Sequence, residues 1–461
     1  MDQILTTLDA ARTLLRSVGT ANAYVSFSHA QQDDILLTLL FYKLVSDAAR
    51  QRVKRFARFY PESHTTRRSL HLNNYISCTE ACFYETCIWA TPNAAGLALQ
   101  RALNRWCQAQ SNSHLTELLR PQRFGRRSGY PLALTQSGIL AQVITLIGTL
   151  DFCAHAPGRN MGDIFNQALA SLGIAAAPLP DSVMQLMWTL LAPRPTDTIY
   201  DPACGNGPLL LACAGNMTQR LPDSPMIIYG QEANTEKWAL AKMRLLTQGL
   251  MMHQLDNSDA LQQAMEGAQR YHLRIADVVM LHLERNAPDW QYESALHLHQ
   301  HCFHCEPPRN RQIALIWQAL ACLKDRDARV GIVLPLRMLA GSEGLVLRRY
   351  LVEHWHLVAL IELPKIKQQG QALHLLVLRQ YYAFDAIAFI SSKTALPDGM
   401  PPEGGYDFAA IEHAWTAFKQ HQYAPYLRVV DAATIKAHQW QFHLSAYENC
   451  SGPARLPGYR G

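Results

Sequence analysis

From the first residues to about Leu150, apolar positions recur at spacings of three and four. Ile35, Leu36, Leu39, Leu40, Leu44 and Val45 form one stripe, continued by Phe41, Tyr42, Phe56, Phe59 and Tyr60. Such spacing gathers side chains on one helical face, so this third of the chain is predicted to be helical. Loop-forming residues cluster at 112–113, 126–131 and 156–160, and after the last of these the pattern changes. From Ile199 onward short β-rich runs alternate with helical ones. Strands are predicted at Ile199-Tyr200, Met226 to Tyr229, Val278 to Leu281, Val330 to Leu334 and Leu357 to Leu363, and helices at Leu209 to Thr218, Lys237 to Gly249, Gln312 to Leu323 and Gly344 to His354. That alternation predicts an α/β fold, a doubly wound parallel sheet with helices on both faces. Ala372 to Arg379 and Ala386 to Ile390 read as a final strand pair, followed by a tail rich in Pro and Gly around residues 397–405.

A length of 461 residues fits two or three units of roughly 150 residues each. The boundaries predicted from the pattern are 1–155, 156–395 and 396–461. No run of 18 uninterrupted apolar residues is present; the nearest, Ile139 to Leu150, is broken by Gln142, Thr145, Gly148 and Thr149. The start, with Asp2, Gln3, Asp9, Arg12 and Arg16, lacks the basic head and apolar run of a secretion signal, so a cytoplasmic location is expected. Eleven cysteines scattered among apolar residues fit reduced core thiols better than a disulfide framework.

The net charge of +5 hides an uneven distribution. Between residues 50 and 68, seven basic residues (Arg50, Arg52, Lys54, Arg55, Arg58, Arg67, Arg68) face one acid, Glu62, and Arg120, Arg123, Arg126 and Arg127 form a second cluster. The rest of the chain is slightly acidic. Concentrated positive charge holds a polyanion such as nucleic acid; the other reading of the same residues is a solvated helix face.

The predicted strand at Thr198 to Tyr200 runs into Asp201-Pro202-Ala203-Cys204-Gly205-Asn206-Gly207 and then an apolar helix. An acid at a strand end followed by a G-x-G turn lets the backbone approach a ligand closely, with a helix N-terminus facing it. A lone G-x-G has many steric uses, but the whole heptapeptide after a strand is much more specific. The next strand ends at Gly230-Gln231-Glu232, where Glu232, 25 residues beyond Gly207, is placed to accept hydrogen bonds from ribose hydroxyls. Asp259, in the third turn, is a candidate acceptor for an adenine amino group.

The stretches Asp201 to Gly207 and Tyr229 to Met243 resemble the cofactor-binding segments of adenine-N6 DNA methyltransferases, above all the modification (M) subunits of type I restriction-modification systems. The resemblance extends in order through Asp33 to Asp47, Met161 to Phe165, Gly331 to Pro335 and Val430 to Ser445, roughly residues 30–448. It implies an N-terminal helical domain that helps clamp double-stranded DNA, with Arg50, Arg52, Lys54, Arg55 and Arg58 as DNA contacts. A Rossmann-like methyltransferase domain would follow, binding S-adenosylmethionine through Asp201, Pro202, Gly205, Gly207, Glu232 and Asp259. The C-terminal extension would contact a specificity subunit, with a second M-like chain and a nuclease subunit as further partners. The family methylates the N6 of an adenine extruded from the duplex. An Asn or Asp, two prolines and an aromatic after the fourth strand hold that base, and positioning supplies much of the rate.

This chain departs from the family at that element. After Val278 to Leu281 stand His282-Leu283-Glu284-Arg285; Asn286-Ala287-Pro288-Asp289-Trp290 follow, four residues late and with one proline missing. Four extended residues displace a loop by on the order of 13 Å, whereas a catalytic geometry tolerates about 0.5 Å. Asn286, Pro288 and Trp290 are therefore candidates only for a displaced loop. Ala177-Pro178-Leu179-Pro180 stand where the family has an aromatic, hydroxyl-bearing loop over the cofactor, and Pro208 removes one N–H donor from the helix start. The expectation is a relative that keeps the fold, loses methyl transfer and binds the cofactor weakly; the alternatives are an active enzyme using the displaced loop, and a DNA-binding or assembly module without cofactor. His297, His299, His301, Cys302, His304 and Cys305 include a C-x-x-C spacing that suits half a zinc site. No second half is apparent unless His354 and His356 supply it, so the stretch reads as a polar loop and no metal is expected. Cys204 reads as a packing residue, because the family's reaction forms no covalent enzyme adduct.

Overall fold

The structure is a computed structural model that describes residues 1–21, 28–59, 70–73, 76–78, 84–88, 90–108, 115–124, 138–155, 160–174, 179–220, 227–248, 255–262, 276–283, 308–324, 327–354, 357–364, 372–380, 386–391, 408–420, 422, 424 and 427–447. It divides into two compact units, residues 1–177 with 239–252, and residues 178–238 with 253–461.

The first unit is mainly helical. In the helix Asp2–Ala21, Ile4, Leu8, Ala11 and Leu15 recur at three and four and are fully buried. The helix His29–Phe59 buries Leu36, Leu39, Leu40, Phe41 and Tyr42 around most of its circumference, as a central helix must. Tyr42 lies against Tyr84 and against Trp106 of the helix Ala95–Gln108. Lys43 and Asp47, one turn apart, form a buried ion pair at 2.5 Å, and Asp47 also accepts the Phe152 N–H at 3.1 Å. Asn160 caps Met161–Ser171, accepting the Asp163 N–H at 2.7 Å. The region is not uniformly helical as the periodicity predicts: β1 (Leu70–Asn73) and β2 (Ile76–Cys78) pair antiparallel. Strands of four and three residues are too short to show an alternation.

The second unit contains a nine-stranded sheet in the order β11-β10-β8-β9-β7-β6-β3-β4-β5. Its strands are β3 (Thr198–Asp201), β4 (Ile227–Gln231), β5 (Leu255–Asp256), β6 (Val278–His282), β7 (Arg329–Leu334), β8 (Leu357–Glu362), β9 (His374–Arg379), β10 (Ala386–Ser391) and β11 (Leu427–Asp431). Every residue of β3, β7 and β10 is buried, the pattern of central strands covered on both faces. The sheet is mostly parallel, but β9 runs antiparallel between β7 and β8, and β11 antiparallel to β10. The expected final strand pair is thus corrected: β9 pairs with β7 and β8, whereas β10 pairs with β8 and β11. The apolar run of β9, buried at its four inner residues, stabilises a central position that closeness in sequence cannot specify.

Helix ends and strand starts are tied at the edge opposite the candidate site. Buried Arg329 donates to the Leu191 and Ala192 carbonyls, closing the C-terminus of the helix Asp181–Leu191, and pairs with Asp197. Cys87, Cys107, Cys204, Cys213 and Cys322 are buried and take part in no disulfide. No helix among the described residues is long and apolar enough to cross a membrane.

Candidate functional site

From β3 the chain proceeds to β4 and β5 on one side and returns to β6 on the other. The carboxyl ends of β3 and β6, parallel neighbours through Tyr200 and Val279, therefore flank a topological switch point. Ligands of open α/β sheets bind in the crevice that such a reversal leaves. Asp201 ends β3, Gln231 ends β4 and His282 ends β6, so three of the turns read from the sequence share this edge.

Asp201 is 2% exposed, and its Oδ1 accepts the Ala203 N–H at 3.0 Å. Burial pushes its pKa up to about 7; the Ala203 bond opposes the rise and the Glu232 charge adds to it. The turn that follows needs its glycines, since Gly205 and Gly207 have φ of +58° and +80°. Gly207 accepts the Leu211 N–H at 2.9 Å, opening the helix Pro208–Arg220 with Pro208 as its first residue. Proline is favoured there because the first helical N–H has no intrahelical partner, so Pro208 fits the fold while removing a donor from the site.

Glu232 closes the turn onto β4. Its Oε2 accepts the Gly205 N–H at 3.0 Å and its Oε1 the Asn234 N–H at 2.7 Å, while the Cys204 N–H reaches the Gln231 carbonyl at 3.0 Å. An ionised carboxylate offers about four lone-pair sites. Two are used, which leaves acceptor capacity for ribose hydroxyls. Among the described residues, apart from its two chain neighbours, no atom lies within 4 Å of the position a Cβ would take at Gly205, so there is room above the turn for a ligand. These residues fit the ribose and the turn-facing part of S-adenosylmethionine. Cys204 is 2% exposed and burial pushes its thiol well up, consistent with packing and against a nucleophile.

Two further groups were not evident from motif spacing. Tyr200 donates its hydroxyl to Gln231 Oε1, and Gln231 Nε2 donates to Ser258 Oγ at 3.1 Å, which ties the turn after β5 to β4. Asp259, expected to receive an adenine amino group, accepts the Leu261 N–H at 3.0 Å through Oδ1 and is ion-paired through Oδ2 to Arg311 at 2.9 Å. Arg311 follows Asp259 by 52 residues, and no local pattern connects them.

At the end of β6 His282 pairs in register with Val333, and burial lowers its pKa to about 4, so it is neutral near pH 7. The ladder continues one residue beyond it: the Leu283 N–H donates to the Val333 carbonyl at 2.9 Å, and Leu283 is 3% exposed. A proline at position 283 would have no N–H for that bond. Asn286, Pro288 and Trp290, and the His/Cys stretch 297–305, lie outside the described residues, as do Ala177 and Pro178. Among the described residues no group of three or more His, Cys, Asp or Glu is arranged to hold a metal ion. Arg50, Arg52, Lys54, Arg55 and Arg58 all fall on the helix His29–Phe59; of these only the Arg50 side chain is described.

The profile of the N-6 DNA methylase family matches residues 160–452. Among solved structures, the methyltransferase subunit of a type I restriction-modification system from Streptococcus thermophilus is 19% identical, with a TM-score of 0.69 over 96% of this chain and 99% of that one. A modification subunit of a putative type I restriction enzyme from Vibrio vulnificus is 14% identical, with a TM-score of 0.67 over 94% of this chain and 93% of its own. At these identities the likeness is one of fold. Sequence comparison with curated proteins yields no match.

Proposed function

The chain belongs to the N-6 DNA methylase family, and on that premise we propose that it is an M-type component of a DNA restriction-modification system that retains the cofactor frame and does not itself transfer methyl groups. The observation that carries this reading is the end of β6. Where the family places an Asn or Asp and two prolines, this chain has a neutral His282 and a Leu283 whose N–H is spent on the sheet. A carboxamide or carboxylate oxygen can accept from an adenine amino group while a turn presents a backbone carbonyl beside it. A neutral imidazole has one acceptor nitrogen, and the Leu283 N–H beside it is given to the Val333 carbonyl.

The cofactor side is better preserved. Gly205 and Gly207 allow close approach of the backbone, Glu232 has acceptor capacity for ribose hydroxyls, and Asp201 places a buried carboxyl beneath the turn. When bound, S-adenosylmethionine would supply an electrophilic methyl group. Under this reading these residues bind and orient it, and nothing at His282 brings an acceptor nitrogen into line. The partners proposed are double-stranded DNA, a specificity-type subunit, a second M-like chain and a nuclease subunit. The basic positions on His29–Phe59 support the first of these, and the family's assemblies the others.

Incubating the chain and a specificity subunit with DNA and methyl-labelled S-adenosylmethionine tests the proposal. Incorporation at background level is expected. Incorporation abolished by Asn286→Ala would establish the displaced-loop enzyme instead. Calorimetry with S-adenosylmethionine should show weak binding that Glu232→Ala removes; affinity indifferent to Glu232 would mean that the cofactor frame is no longer used.

A further inference from the structure

Arg120 carries two unfavourable features at one position. It ends the short helix Leu115–Leu119: its N–H donates to the Thr116 carbonyl at 3.0 Å, and its φ is +41°. Glycine fits such a left-handed helix end without strain, and the following Pro121 narrows the choice further for any other residue. Leu115, Leu118 and Leu119 before it and Phe124 after it are buried, so the backbone is held in this conformation from both sides.

The second feature is the side chain. Among the described residues, Nε and Nη2 of Arg120 have no hydrogen-bond partner, and both are closed to water. These two nitrogens form the guanidinium edge whose parallel N–H bonds take two oxygens of one carboxylate or phosphate. Charged donors left shielded and unmatched are less favourable than an apolar side chain of similar length. The residue as a whole is half-buried, so the guanidinium can leave on the side that already meets water.

The neighbouring sequence selects the anion. Arg123, Arg126 and Arg127 follow, and no Asp or Glu occurs from 118 to 150. A single carboxylate is matched by one arginine. Four arginines without an acid beside them match the repeating phosphates of a polyanion.

We propose that Arg120 is a phosphate-binding residue of the helical unit: in the free chain its guanidinium edge is shielded and unmatched, and it swings outward to take two oxygens of a DNA phosphodiester. The inference rests on the reading that this unit meets duplex DNA, and it adds to the basic positions on His29–Phe59 a contact that depends on geometry as well as charge.

Melts of the free full chain, and its fluorescence anisotropy titrations with two short duplexes of unrelated sequence, test it. Arg120→Met keeps an apolar stem and removes the donors. It should raise the melting temperature by a few degrees, lower affinity for both duplexes about tenfold and reduce the log-log salt slope by about 1. A guanidinium that merely holds the fold would move the melt the other way, so a lower melting temperature overturns the proposal, as does unchanged DNA affinity. Arg120→Lys keeps the charge and loses the fork, so the slope should stay while affinity still falls. Where Arg120→Met does not fold, Arg120→Lys decides, and wild-type affinity in that variant overturns the proposal. If Arg120→Met weakens binding of the specificity subunit and leaves DNA affinity unchanged, the edge serves a carboxylate of that partner and the phosphate assignment is lost. DNA binding that removal of Arg52, Lys54 and Arg55 abolishes and Arg120→Met leaves intact overturns this inference and keeps the clamp reading standing. Absence of DNA binding by the wild-type chain overturns both.

Discussion

Asp201 and His282 stand at the same edge of the sheet with opposite pH signatures. Burial raises Asp201 from 3.8 to about 7, so through that window the unfolded chain has released a proton that the native chain still holds. Its contribution to stability therefore falls as pH rises from about 4 to 7 and stays low above. Burial lowers His282 from 6.5 to about 4, so there the unfolded chain holds a proton that the native chain excludes. Its contribution rises with pH across that window and is lost as pH falls through it. The two slopes oppose each other in the wild type. Asp201→Asn, which keeps the acceptor for Ala203, should steepen the rise in stability between pH 4 and 6.5 and stabilise the chain at pH 8 by up to on the order of 4 kcal/mol. His282→Gln should leave the opposite slope. Denaturant melts over this range check both; an Asp201→Asn chain no more stable than wild type at pH 8 would remove the case for a buried, uncompensated carboxylate. Of these residues, Asp201 and Glu232 were legible in the sequence because motif and strand end coincide. The Arg311 partner of Asp259 was not, because a contact across 52 residues leaves no periodic trace.

Two glycines at the scale of turns and helices separate steric from conformational demand. A Cβ at Gly344, in the helix Gly341–Glu353, would sit 1.9 Å from the Leu339 carbonyl oxygen, a backbone atom that no rotamer change can move aside. Gly344→Ala should destabilise by roughly 3 kcal/mol or more. At Gly205 the space is open and only the φ of +58° resists, so Gly205→Ala should lose about 1–2 kcal/mol. Urea melts rank the two, and a milder effect at Gly344 would contradict the close packing of its helix on the turn Leu336–Leu339. The long elements were predictable from apolar runs and periodicity: β6, β7, β8 and the helices after β3 and β4 appear within a few residues of their expected spans. β5 has two residues, and β11 is an edge strand with only two of its five residues buried, so neither presents a pattern distinct from a loop.

On the scale of the whole molecule, charge is the property most exposed to test. Arg50, Lys54 and Arg58 recur every four residues on one helix, and the proposal places that helix against DNA. Affinity for duplex DNA should fall steeply with salt, and removing Arg52, Lys54 and Arg55 together should reduce the log-log slope by about 2 to 3. A slope unchanged by those substitutions would count against the clamp. What the sequence by itself determined is local: the strand and helix identities of the α/β unit, the Asp201 to Gly207 turn, the acid at Glu232, and the run His282-Leu283-Glu284-Arg285 after Leu281. Each is carried by residues within a dozen positions of one another, where periodicity and turn chemistry act. Only the tertiary structure decided that β9 enters between β7 and β8, that Leu283 extends the ladder to Val333, and that Asp259 is already held by Arg311. These depend on which distant surfaces pack together, a choice made by burial and by competition among many possible partners rather than by any single segment.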